Sequence, residues 1–209
     1  MSSDFWHEVT LIGTFRFFRV IHFTLFRCKI LFVMRMLNDA YWSERYKAND
    51  IGWDVGYATP PITQYIDRLQ NKKLSILIPG CGNAYEARYL LEKGFTNITI
   101  LDISSELVDR LRMQFEGRPI TILHEDFFEH EGQYDLIIEQ TFFCALHPEM
   151  RSAYVLKMAS LLKDNGTLAG LLFNTHFDGG PPFGGQIEEY RALFAQHLLI
   201  EVLEPCGNS

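Results

Sequence analysis

The residues of this sequence best placed to hold a nucleoside sit on one glycine-rich turn and three strand ends. The apolar run 74–78 stops at Pro79-Gly80-Cys81-Gly82, and glycines at such a turn let backbone approach a ligand where a side chain would block it. A dinucleotide fingerprint G-x-G-x-x-G would need glycine at position 85, where Tyr85 stands, and the Gly-Lys-Ser/Thr of a phosphate-binding P-loop is absent. Asp102 follows Gly80 by 22 residues and terminates the next apolar run; a carboxylate there can accept hydrogen bonds from two vicinal ribose hydroxyls. Asp102 can equally be read as an acid complementing the next helix N-terminus. Gly80 and Asp102 alone separate S-adenosylmethionine from NAD only weakly.

Two further strand ends narrow the choice. Asp126-Phe127 offers a carboxylate for an exocyclic adenine amine and a ring or backbone contact for the base, and Gln140 adds a polar group beside the glycine turn. Trp42, Tyr46 and Trp53 precede the first of these strands, and electron-rich ring faces attract a sulfonium much as they attract an ammonium. The plainer readings are that Phe127, Trp42 and Trp53 are packing residues and Asp126 a solvated loop acid. His124, His130, His147 and His176 lack ligand spacing and read as loop or surface residues.

The elements that must position these residues alternate. Helical text at 38–48 and 61–70 flanks a loop with Gly52, Gly56 and Pro60-Pro61. Strands are then predicted at 74–78, 97–101, 120–123, 134–138, 167–173 and 198–203. Helices lie between them: one opened by Asn83 and Glu86 at capping-box spacing, one capped by Ser104, one opened by Pro148 and closed by Asn165-Gly166, and one near 186–196. This alternation predicts an α/β fold, a Rossmann-like, doubly wound and mostly parallel sheet whose ligand lies outside the carboxyl ends of its strands.

With 209 residues, of which 47% are hydrophobic, the chain can bury one core of ordinary domain size. Its net charge of -7 argues against nucleic acid and anionic membrane as partners and for a small molecule. Cys28, Cys81, Cys144 and Cys206 are too scattered for a disulfide framework or a zinc cluster, so a reducing cytoplasm is expected. Residues 10–36 are apolar, yet carry Arg16, Arg19, Arg27, Lys29 and Arg35 with no acid. No stretch of about 18 uncharged residues exists there to span a membrane. Residues 1–35 are therefore expected to be a poorly ordered extension outside the fold, with the domain at 36–209 and Met34 or Met36 as the effective start.

The segments WSERYKANDIGWDVGYATP, LIPGCGNAYEA, LDIS, HEDFF, YDLIIEQTFFCALHPEMR and GGPPF resemble the thiopurine S-methyltransferase family, most closely its plant-type thiol and halide methyltransferase branch. The resemblance implies a class I fold that binds S-adenosyl-L-methionine. It implies that Trp42, Tyr46 and Trp53 line the cofactor pocket, Gly80 touches the methionine portion, Asp102 holds the ribose, Asp126 and Phe127 bind adenine, and Gln140 contacts the cofactor. It implies methyl transfer to a small soft nucleophile by in-line displacement. Such an acceptor needs no obligatory base and no metal, so no catalytic side chain is expected; Trp53, Phe142, Phe143 and Phe183 are expected as apolar walls. Tyr46 stands where the branch usually has Trp, Gln140 where it has Tyr, and His147 where an acid is common. The family fold also inserts a last antiparallel strand between its fifth and sixth, and the sequence ends at Ser209 soon after the sixth. That strand is expected to be missing and the chain to be truncated, with unpaired edges inside the sheet. An O- or N-directed methyltransferase, a nicotinamide oxidoreductase and a non-catalytic cofactor sensor are the rival readings.

Overall fold

Uninterrupted apolar runs such as Ile76-Leu77-Ile78 make sense only where both faces of a strand are covered, and each of these three residues is buried. The computed structural model describes residues 8–15 and 37–208. In chain order its elements are β1 (Glu8–Phe15), α1 (Asp39–Ala48), α2 (Pro60–Arg68), β2 (Ile76–Pro79), α3 (Tyr85–Glu92), β3 (Ile98–Asp102), α4 (Ser105–Gln114) and β4 (Ile120–His124). They continue with β5 (Tyr134–Gln140), α5 (Arg151–Leu161), β6 (Leu162–Phe173), α6 (Ile187–Phe194) and β7 (Leu198–Pro205). Two single 3₁₀ turns, Phe143–Ala145 and Pro148–Met150, lie between β5 and α5. The seven strands form one sheet in the order β4-β3-β2-β5-β6-β1-β7, with β2, β3, β4, β5 and β6 paired in parallel.

β1 overturns the expectation for the amino-terminal segment. It pairs antiparallel with β6, Val9 opposite Leu172 and Leu11 opposite Gly170, and antiparallel with β7, Leu11 opposite Leu203. Residues 8–15 thus occupy the interior slot where the sequence predicts a gap. The reading of residues 1–35 as lying outside the fold is corrected for this stretch; the remainder, residues 1–7 and 16–35, lies outside the described residues. The physical reason is the alternation in Glu8-Val-Thr-Leu-Ile-Gly-Thr-Phe15: Val9 and Leu11 are both fully buried in the core beneath α5 and α6, while Thr14 reaches Glu201 at 3.1 Å.

Two local readings also change. Asn83 does not cap α3, which starts after Ala84 in the left-handed region (φ 55) with no side-chain cap; instead Asn83 donates to Asp54. α5 ends at Leu161, four residues before Asn165, and β6 continues through Asn165 (φ 62). There the β5–β6 register shifts between Tyr134 and Leu136, so Asn165-Gly166 marks an irregularity within the strand. Among the described residues no helix is long and apolar enough to cross a membrane.

Candidate active site

The carboxyl ends of β2, β3, β4 and β5 open into one crevice of about 1030 Å³, open solvent at its mouth included, a concave site of the kind that small molecules and cofactors occupy. Trp42, Tyr46, Trp53, Gly80, Asp102, Asp126 and Phe127 all line it. Seven of the eight residues singled out by sequence therefore meet in one place. The eighth, Gln140, lines a smaller adjoining pocket that shares Trp53, Gly82 and Thr141 with the crevice. Its Oε1 accepts from Thr59 Oγ1 at 2.8 Å, tying the start of α2 to the end of β5.

Asp102 is 8% exposed. Its Oδ1 accepts from the Ser104 amide at 2.9 Å and its Oδ2 from the Gly82 amide at 3.4 Å. Burial pushes its carboxyl up to about 6, against the pull of these amides. The chain thus holds a carboxylate at the crevice wall in a fixed pose with lone pairs to spare. Ser104, not Asp102, caps α4 by accepting from Leu107 at 3.2 Å. Asp102 still lies at the head of that helix through the Ser104 amide, so the cap and the carboxylate are separate groups at one helix end.

The glycines beside it are required by conformation. Gly80 (φ 54) and Gly82 (φ 50) lie in the left-handed region, and a Cβ at Gly80 would fall within the ring of Phe142. Gly80→Ala is expected to cost about 1–2 kcal/mol in backbone strain and to displace Phe142. A fall in S-adenosylhomocysteine affinity of about tenfold by calorimetric titration, with the fold intact by circular dichroism, would show it; unchanged affinity would refute it.

The aromatic roof arrives on α1. Asn38 caps this helix, and Asp39 anchors it to the start of α4 by accepting from the Ser105 amide (2.9 Å) and Ser105 Oγ (3.0 Å). Ser43 also meets Ser104 at 2.9 Å. These contacts carry Trp42 and Tyr46 over the Asp102 end of the crevice. There Trp53 stands edge-on to both, with centroids 5.4 and 6.0 Å apart. Asp126, also lining the crevice, is fixed by the Phe128 amide (2.9 Å), and burial raises its carboxyl above its ordinary value.

Of the expected apolar walls, Trp53 and Phe142 face the crevice. Phe143 does not; it is buried in the core between Tyr154 and Tyr190. Phe183 packs against His147 at 5.4 Å, leaving Pro181 and Pro182 as lining. His147 accepts from the Glu149 amide and is not part of the wall.

Two acids are buried that sequence reading treated otherwise: Glu139 was passed over and Glu86 was read only as a capping partner. Glu139 and Glu86 are 0% and 8% exposed, and burial pushes each up to about 7. An acid directly after the apolar stretch Leu136-Ile137-Ile138, still within the strand, was the available signal for Glu139. Glu86 faces the smaller pocket. A carboxyl raised in the folded state binds its proton more tightly than in the unfolded chain, so its contribution to stability is present below its unfolded value of 4.5 and is lost as pH rises toward 7. Glu86→Gln is therefore expected to raise the melting temperature of the ligand-free protein at pH 8 but not at pH 4.5, at about 2–4 °C per kcal/mol recovered. A pH-independent difference in thermal denaturation would contradict this.

The arrangement suits an adenosine-bearing cofactor on three grounds: a pre-bonded carboxylate, a side-chain-free turn and aromatic faces for a cation. The fold and crevice are those of a class I S-adenosylmethionine-dependent methyltransferase. A solved structure of 1,6-didemethyltoxoflavin-N1-methyltransferase from Burkholderia thailandensis, with bound S-adenosylhomocysteine, superposes over 89% of this chain and 92% of its own at a TM-score of 0.63 and 16% identity. Residues 37–207 match the sequence profile of the thiopurine S-methyltransferase family, and the chain belongs to that family. It is 33% identical over 159 residues to probable thiol methyltransferase 2 of Arabidopsis thaliana, covering 73% of this chain and 70% of that protein. It is 30% identical over 183 residues to thiocyanate methyltransferase 1 of Brassica oleracea, covering 84% and 76%.

Proposed function

We propose that the protein methylates a small, soft sulfur nucleophile or halide: a thiol, sulfide, thiocyanate or thiopurine. The observation that carries this is the acceptor side of the crevice. Phe128, Phe142, Ala145, Leu146, Met150 and Pro181 make it apolar, and among the described lining residues there is no histidine, lysine or arginine. An alcohol or amine acceptor needs a base to take its proton; of the acids lining the crevice, this reading gives Asp102 and Asp126 to the cofactor, and Glu125 is held by His130 at 2.7 Å. A thiolate, thiocyanate or halide arrives already nucleophilic, and large polarizable anions lose less on leaving water than small hard ones.

When bound, S-adenosylmethionine supplies a methyl group on a sulfonium sulfur. The chain's part is to bind, align and dehydrate. Asp102 receives the ribose hydroxyls, Asp126 and Phe127 the adenine, and Gly80 permits close passage of the methionine portion. Trp42, Tyr46 and Trp53 turn ring faces toward positive charge. Gln140 acts from the adjoining pocket rather than from the main wall. Phe142 and Pro181 keep water from the line of approach. We place this activity in the cytoplasm, in keeping with cysteines too scattered along the sequence for a disulfide framework.

Turnover with sulfide, iodide, thiocyanate, a small thiol, a thiopurine, a phenol and an amine tests the proposal. Highest kcat/KM on one of the first five is expected. Preference for the phenol or amine would defeat it.

A further inference from the structure

We propose that Glu139 is a positioning residue for methyl transfer: it sets the acceptor wall by holding the backbone amides of Phe142 and Phe143. The inference rests on the methyl-transfer reading above and adds to it a residue outside the crevice. Glu139 is the penultimate residue of β5 and is fully buried. Its Oε1 accepts from both the Phe142 and Phe143 amides at 3.0 Å, and its Oε2 accepts from Tyr154 Oη at 2.5 Å.

Those bonds govern a turn that would not hold itself. Thr141 has φ 63, a left-handed conformation that a β-branched residue adopts only when its surroundings impose it. The Thr141 carbonyl accepts from Cys144 Sγ at 3.0 Å. The consequence is a divergence of neighbouring rings. Phe142 stands over Gly80 in the crevice, packed on Phe127 (5.1 Å) and Tyr154 (5.9 Å). Phe143 turns down into the core. One carboxylate, gripping two successive amides, fixes which ring faces the acceptor.

A purely structural account fits poorly. No lysine or arginine among the described residues pairs with Glu139, and a buried carboxylate without a cation is costly compared with an apolar side chain of similar size. β6 moreover makes room for it: a Cβ at Gly170 would collide with the Glu139 side chain.

The experiment compares Glu139→Ala, Glu139→Gln and Tyr154→Phe in the full chain. Three readouts are taken: acceptor KM, kcat, and S-adenosylhomocysteine affinity by calorimetric titration. Glu139→Ala is expected to raise acceptor KM about tenfold or more while cofactor-product affinity changes less than about threefold. Glu139→Gln should restore acceptor KM to within about threefold of the parent, because its carbonyl oxygen can accept both amides and its NH₂ can donate to Tyr154 Oη. If Glu139→Ala does not fold, Tyr154→Phe decides, with a rise in acceptor KM of about threefold at constant product affinity. Parallel loss of both affinities, a Gln variant no better than Ala, or an unchanged KM in Tyr154→Phe would overturn the proposal. Failure of the unmodified chain to bind S-adenosylhomocysteine would instead count against the methyl-transfer reading.

Discussion

Asp102→Ala is expected to weaken S-adenosylhomocysteine binding by about 100-fold or more, the loss of two charge-assisted hydrogen bonds at ~1.5–3 kcal/mol each. The carboxylate is already held by the amides of Ser104 and Gly82, so little ordering cost offsets what it gives the ligand. His147→Ala, outside the crevice wall, is expected to leave affinity and turnover within about threefold. Equal losses in the two variants would contradict both assignments. The pH dependence carries the same sign. Hydroxyl donors favour the ionised carboxylate, and its value is pushed up to about 6, so affinity should hold above pH 7 and decline below pH 6 by about tenfold per unit. Calorimetry at pH 5 and pH 8 would expose a flat profile, which would exclude Asp102 as the ribose acceptor.

Removing residues 1–15 is expected to abolish cooperative unfolding or lower the melting temperature by more than about 10 °C. β6 would lose its partner on one side and β7 the one ladder it makes among the described residues, exposing two rows of unpaired backbone groups. A milder version confirms the site of the effect. Leu11→Ala empties a fully buried position at about 2–5 kcal/mol, whereas Thr14→Ala on the other face should cost less than about 1 kcal/mol. A truncated chain that melts with the parent's midpoint would mean that β1 contributes nothing to the sheet.

The parallel sheet was legible because each of its strands announces itself locally: Ile98–Asp102 and Tyr134–Gln140 are apolar runs bounded by turn residues and followed or preceded by helices with caps. Gly80, Asp102, Asp126 and Gln140 could be singled out for the same reason, each standing at or just past the end of such a run, and all but Gln140 line the crevice. What local text does not reveal is pairing at a distance. The alternation of Val9 and Leu11 is visible in the sequence, but nothing near it says that the partners are Leu172 and Leu203-bearing strands far along the chain. Asn83 misled for a related reason: its spacing to Glu86 fits a cap, yet Asp54, 29 residues earlier, takes its side chain. Phe143 differs from expectation because of the turn it follows. The φ of 63° at Thr141 turns consecutive residues to different compartments, and composition carries no trace of it.

The place of β1 has a consequence for how the chain is made. Val9 leaves the ribosome 163 residues before Leu172, its partner (172 − 9), an interval of roughly 10–30 s at ~5–20 residues per second. For that time a short greasy segment travels without an edge to join, and the sheet can close only after nearly everything else has been translated. Ladders between such distant positions are slow to form. Shielding of the nascent amino-terminal strand from neighbouring chains during that interval is therefore expected to matter for the yield of native protein, alongside the stability of the finished molecule.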